Sequence, residues 1–80
     1  MMRVTIARRH FYIHPIEVEQ AMSGVKPESA SGASVKIGGI AYPVMQVGAA
    51  ITHQDRRDFS AREVYLAMKT LGFSCRTAPS

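Results

Sequence analysis

Hydrophobic and polar positions along this chain fall into short blocks, each with a legible period. Val4 and Ile6 alternate with Arg3 and Thr5, the period-two pattern of a half-buried strand over Arg3–Ala7. Arg8-Arg9-His10 interrupts it, and Phe11-Tyr12-Ile13 resumes the β-rich chemistry, so this region reads as one broken strand or two short ones. Pro15 suits the first position of a helix, and Glu17 and Glu19 complement the positive end of its dipole. Val18, Ala21 and Met22 give that helix one apolar face, and Gly24 ends it. Lys26–Ala33 is small, polar and rich in turn formers, which predicts a flexible connector. Ser34–Ile37 and Ile40–Tyr42 flank Gly38-Gly39, a two-residue hairpin signal because a type I′ turn needs positive φ at both positions. Pro43 opens a second helix with Val44, Val47, Gly48 and Ile51 on one face, where Gly48 admits a close neighbour.

The clearest block runs from Asp58 to Phe73. Ser60 and Glu63 have the spacing of a capping box, in which hydroxyl and carboxylate satisfy two orphan N–H groups reciprocally. Ala61, Val64, Tyr65, Met68 and Leu71 follow as an apolar stripe at helical spacing. Gly72 stands where a left-handed residue ends a helix, with Phe73 next to pack back on Met68. Ser74–Thr77 predicts a last strand, followed by a loose Ala78-Pro79-Ser80 tail. The predicted order is β-α-β-β-α-α-β. It implies one α+β domain over residues 1–80, a small antiparallel sheet covered on one face by three helices. The alternative is a winged-helix-like arrangement, with the helices as core and the strands as a wing.

Eighty residues make a single core that buries roughly 60–65 % of the unfolded surface and leaves no room for a large substrate cavity. A composition of 46 % hydrophobic and 20 % charged residues is that of a soluble globule. The formal net charge of +4 leans toward an anionic partner. Cys75 is the one cysteine, which excludes an intramolecular disulfide and a cysteine-based zinc site. A lone thiol, an N-terminus without a long apolar core and the absence of any membrane-length apolar run together predict a cytoplasmic protein without a membrane partner.

Enzymatic chemistry has little to stand on. His10, His14 and His53 lie on different elements, and no pair has the i, i+4 spacing of a helical metal site. His53, Asp55 and Asp58 are close in sequence, but turn and cap chemistry accounts for them. Cys75 has no nearby base, and the chain carries no phosphate loop, G-x-S-x-G or H-E-x-x-H. The expectation is a protein that is not an enzyme, with no catalytic residue, metal or cofactor.

The basic residues are more informative. Arg56, Arg57 and Arg62 lie in and just after the turn before the capped helix, and Lys69 continues the same outer surface. That arrangement resembles a helix-turn-helix, although His53–Phe59 is longer than its usual turn. It predicts a nucleic-acid-binding protein that uses the turn and capped helix 53–71 against duplex DNA, with Arg8, Arg9 and Arg76 as extensions. The competing possibility is that these arginines pair with Asp55, Asp58 and Glu63 and contribute only solubility. Leu66 lies off the apolar stripe. With Met45 and Tyr65 it marks a protein contact, either a homodimer or a heterologous interface. On that second expectation the chain is a phage- or plasmid-encoded inhibitor or adaptor of a nucleic-acid-handling complex.

Lys36-Ile-Gly-Gly-Ile-Ala-Tyr-Pro-Val-Met-Gln-Val47, with Asp58-Phe-Ser60 and Leu71-Gly-Phe73, resembles a small bacterial module. In that module a short strand leads to a Tyr-Pro-x-Lys helix start, and a later Phe-Ser/Thr helix ends in Leu-Gly-Phe. It occurs near the N-termini of some modification-dependent restriction endonucleases and in small uncharacterised proteins. Met45 stands where the module has its lysine. The resemblance spans about half of the chain. It implies a fold and a bacterial defence or mobile-element setting, and no activity.

Overall fold

The computed structural model describes residues 2–29 and 32–76. Its elements are β1 (Met2–Ile6), β2 (Arg9–Ile13), α1 (Pro15–Met22), β3 (Ser34–Ile37), β4 (Ile40–Pro43), α2 (Val44–Thr52), α3 (Ala61–Thr70) and β5 (Ser74–Arg76), with a 3₁₀ turn at Arg56–Asp58. The fold is α+β and follows the predicted element order. The strands are shared between two antiparallel sheets, a β1–β2 hairpin and a three-stranded sheet in the order β4-β3-β5. The split follows from the chain path. Pro15 starts α1 one residue after β2 ends and His14 intervenes, so the first hairpin is carried away from the later strands.

One core joins the two sheets through the helices. Val4, Ile6 and Ile13 enter from the hairpin, Val35 and Tyr42 from the second sheet, and Val18, Met22, Val47, Val64 and Met68 from the helices. On α3 the buried set is Val64, Ala67 and Met68, with Leu71 just beyond, while Ala61 and Tyr65 are only half-buried. The stripe is rotated from the predicted one because α3 packs against β1 as well as α2, which brings Ala67 inward and turns Tyr65 outward.

Local chemistry explains the ends of α3. The Ser60 hydroxyl accepts from the Glu63 N–H at 3.3 Å, and the Glu63 carboxylate accepts from the Ser60 N–H at 2.8 Å, closing the capping box. At the other end Gly72 has φ 95°. The Phe73 N–H donates to the Met68 carbonyl at 3.0 Å and the Gly72 N–H to the Lys69 carbonyl at 3.0 Å, a Schellman closure. Gly38 and Gly39, with φ 59° and 82°, make the predicted turn between β3 and β4.

The connector after α1 is pinned. Tyr42 is fully buried, and its hydroxyl lies 3.1 Å from the Met22 carbonyl and 3.0 Å from that of Val25, donating to either. Gln46 donates to the Lys26 carbonyl and accepts from the Glu28 N–H, each at 2.9 Å. A buried amide with both ends paired holds the backbone it touches, so Val25–Glu28 is tied down instead of free. Ala30 and Ser31 of the connector, Thr77 of the predicted last strand and the 78–80 tail lie outside the described residues.

Two substitutions probe this frame. Ser60→Ala removes the N-cap acceptor and is expected to destabilise the domain by about 0.5–2 kcal/mol in denaturant unfolding. An unchanged midpoint would show that the cap contributes nothing. Gly48→Ala adds a Cβ that would meet Phe59 Cε1 and Val64 Cγ2 at 2.6 Å each. Overpacking of roughly 1–3 kcal/mol then outweighs the gain of up to about 1 kcal/mol in helix propensity. The melting temperature is expected to fall, and a rise would show that α2 and α3 do not cross at this glycine.

Candidate nucleic-acid interface

The turn between β1 and β2 is made by Ala7 and Arg8, with φ 56° and 64°. Paired positive φ defines the same tight turn that Gly38-Gly39 makes in the other hairpin. Here the residues carry a Cβ, which costs on the order of 1–2 kcal/mol each in the left-handed region. The turn projects Arg8, and Arg9 follows as the first residue of β2. Arg9 lies directly opposite Ile6, a residue of the hairpin's inner face, so its backbone position faces the body of the domain.

The segment opposite comes from the far end of the chain. His53 caps α2 in the left-handed region at φ 58° and turns the backbone out of the helix. Asp55 then organises the 3₁₀ turn, and its carboxylate accepts from the Arg57 N–H at 2.9 Å. Phe59 returns to the core beneath. The two segments enclose an open cleft of about 710 Å³, lined by Arg8 and Arg9 on one wall and by Gln54, Arg57, Asp58 and the start of α3 on the other. Arg8, Arg9 and Arg57 thus line it together with Asp58 and Glu63, with Glu63 engaged by the Ser60 N–H and Arg57 paired with Asp55 just outside.

Neighbouring arginines have different work. Arg56 makes a two-pronged pair with Glu28, with Nη1 and Nη2 at 2.7 and 2.6 Å from the two carboxylate oxygens. This fork holds the 3₁₀ turn to the connector. Arg57 also forks onto Asp55, but with longer contacts, Nε and Nη2 each at 3.3 Å from one of the two carboxylate oxygens, and its side chain stays 90 % exposed, so an incoming anion can take it over. The Arg56 hydrogen bonds hold the Glu28 carboxyl below its usual range. The Arg57 backbone N–H and then its side chain do the same for Asp55. Depressed carboxylates are paired at neutral pH, and both ion pairs loosen only as the pH falls below the ordinary carboxylate range.

The remaining expected contacts are distributed. Arg62 and Lys69 are exposed on the outer side of α3, and the Lys69 ammonium sits 5.6 Å from the centre of the Tyr65 ring. Arg76 is on the open face of the second sheet with Lys36, in a different depression from the arginine cleft. The residues read as a protein contact are not gathered. Met45 lines a depression with Pro43, Arg56 and Ala61, whereas Leu66 lines a groove with Arg3 and Thr5 of β1. Burial pushes the Cys75 thiol up, and its Sγ lies 3.7 Å from the Phe73 carbonyl. Among the described residues no three His, Cys, Asp or Glu side chains gather as a metal site, and no helix is long and apolar enough to cross a membrane.

The juxtaposition of Arg8 and Arg9 with Arg57 depends on the turn at Ala7-Arg8, which has neither Gly, Asn nor Asp to announce it. Arg3, His10 and Tyr12 are exposed on the same hairpin and do not stand out in a search for clustered charge. A usable signal exists nonetheless, since no carboxylate precedes Glu17.

No curated protein and no solved structure matches this chain. One family model, described as SCO5918-like, matches residues 2–80, nearly its whole length, and the chain therefore belongs to the SCO5918-like family.

Proposed function

We propose that this protein binds duplex nucleic acid, with Arg8, Arg9 and Arg57 holding backbone phosphates and Arg62 and Lys69 extending the cationic surface along α3. The observation that carries the reading is the convergence of two turns, distant in sequence, on one arginine-lined cleft. Phosphate contacts of this kind position a duplex without reading it. A bacterial defence or mobile-element setting is part of this proposal and rests on the resemblance of Lys36–Val47 and Leu71–Phe73 to the module found near the N-termini of some modification-dependent restriction endonucleases. Arg56 plays a supporting part, since its fork to Glu28 leaves Arg57 as the freer cation of the pair.

Fluorescence anisotropy with a labelled duplex tests the proposal. Affinity is expected to fall steeply with salt, by about 0.9 log units per log unit of salt for each phosphate neutralised. Arg9→Glu with Arg57→Glu is expected to abolish binding and to leave the circular dichroism spectrum unchanged. Arg8→Gly separates two roles of one residue, because it relieves the left-handed strain and removes a cation. The domain is expected to become more stable and to bind more weakly, with a shallower salt slope. No binding at low salt overturns the proposal and favours a protein partner, which Leu66→Ala or Met45→Ala would then weaken.

A further inference from the structure

The β1–β2 hairpin has an outer face that the core does not use. Val4, Ile6 and Ile13 are buried, so the alternation of a strand sends Arg3 and Thr5 of β1 and His10 and Tyr12 of β2 to the other side. Arg3 is directly opposite Tyr12 and Thr5 directly opposite His10, and opposed residues share a face. All four are exposed, and the Thr5 hydroxyl lies 3.1 Å from His10 Nδ1. Tyr12 is 62 % exposed, the largest value among the exposed large hydrophobic and aromatic side chains of the described residues. An 80-residue domain with a small core leaves this ring in water.

We infer that this face of the hairpin enters the major groove of duplex DNA, where Arg3, His10 and Tyr12 contact base edges while the arginine cleft holds the backbone. The inference rests on the nucleic-acid reading above and adds to it the element that reads sequence. Charge selects the occupant. On this face Arg3 and His10 stand with no carboxylate, and Arg8 and Arg9 add charge at the turn end, so the ribbon from Met2 to Ile13 offers a polyanion no negative group. Size agrees. Five-residue strands about 17 Å long, paired at about 4.8 Å, make a ribbon that a major groove about 12 Å wide admits. The surface is also continuous with the phosphate site. Arg3 and Thr5 line the groove that contains Glu63, and Glu63 lines the cleft that contains Arg8, Arg9 and Arg57. A single aromatic on the face disfavours a single strand, whose bases stack on several rings in succession. The donor set suits a duplex better, since an arginine reads guanine O6 and N7 with two parallel bonds.

The test uses the full chain. A preferred duplex is selected from a random pool, and its affinity is compared with that of a scrambled duplex. Arg3→Ala is expected to weaken the selected duplex by roughly 5- to 150-fold, the equivalent of one bidentate base contact, and to leave the scrambled duplex and the salt slope unchanged. Tyr12→Ala is expected to reduce the preference in the same sense. Arg9→Ala, by contrast, is expected to weaken both duplexes alike and to lower the slope. Methylation of guanine N7 reports the groove directly, with protection in the wild-type complex and loss of protection with Arg3→Ala. If duplex binding occurs but the pool yields no preferred sequence, or the preference survives both substitutions, the ribbon inference is overturned and the phosphate reading stands. Tighter binding to a single strand also overturns it. Absence of binding to any duplex overturns both readings.

Discussion

The close crossing of α2 and α3 at Gly48 is the constraint from which the shape of the arginine-lined cleft follows. With no side chain at this position, the Phe59 ring and the Val64 methyl come to where a Cβ would stand, 2.6 Å away. Phe59 is the last residue of the connection that leaves α2, and burying it fixes where that connection turns back. The 3₁₀ turn is therefore held against the domain, and Arg57 emerges at a defined place instead of on a wandering loop. The same anchored segment supplies one wall of the cleft opposite Arg8 and Arg9. Packing without any polar character thus sets the geometry of an electrostatic site.

Around that anchor, neighbouring cations are sorted by their partners. Arg56 and Arg57 are adjacent, yet one is held by both oxygens of Glu28 and the other by longer contacts to Asp55. The Glu28 that receives Arg56 is itself placed by Gln46, which accepts from its backbone N–H. A chain of contacts therefore runs from α2 through the connector to the 3₁₀ turn. It spends one arginine on architecture, and the next remains open to an anion. Simple charge counting over 53–58 treats the two as equivalent, although their surroundings make them different.

Where local physics decides, the sequence is readable. The capping box at Ser60 and Glu63, the Gly72 ending and the Gly38-Gly39 turn each depend on residues within a few positions, and each forms as the spacing predicts. Gly48 is legible for the same reason, as a glycine on an apolar helix face. What local rules miss comes from tertiary choice. The rotation of the α3 stripe toward Ala67 depends on β1 lying beside it, and the first hairpin's separation depends on the path into α1. The pairing of Arg56 with Glu28 spans 28 positions, a separation at which no periodicity speaks. The charge pattern points to Arg57 and, as extensions, to Arg8 and Arg9, but that they share one cleft depends on a hairpin turn whose residues do not advertise it.

That hairpin turn sets local backbone preference against the placement of charge. Two turns in this small protein have the same left-handed backbone, one built from glycines and the other from Ala7 and Arg8. Glycine supplies such a turn without steric penalty, so the second pair holds a strained conformation that the chain had a simpler way to make. Ala7 packs its methyl against the edge of the core, and Arg8 puts a cation at the tip of an element that carries no carboxylate. Next to it, Arg9 occupies an inner-face position opposite Ile6, where a strand packed on a core would ordinarily present an apolar residue. Both departures from local preference fall at the same end of the hairpin, and both residues line the cleft that Arg57 also lines. Departures from good folding chemistry that coincide in space and share one chemical outcome are the pattern expected of a binding surface rather than of chance variation on a solvated one.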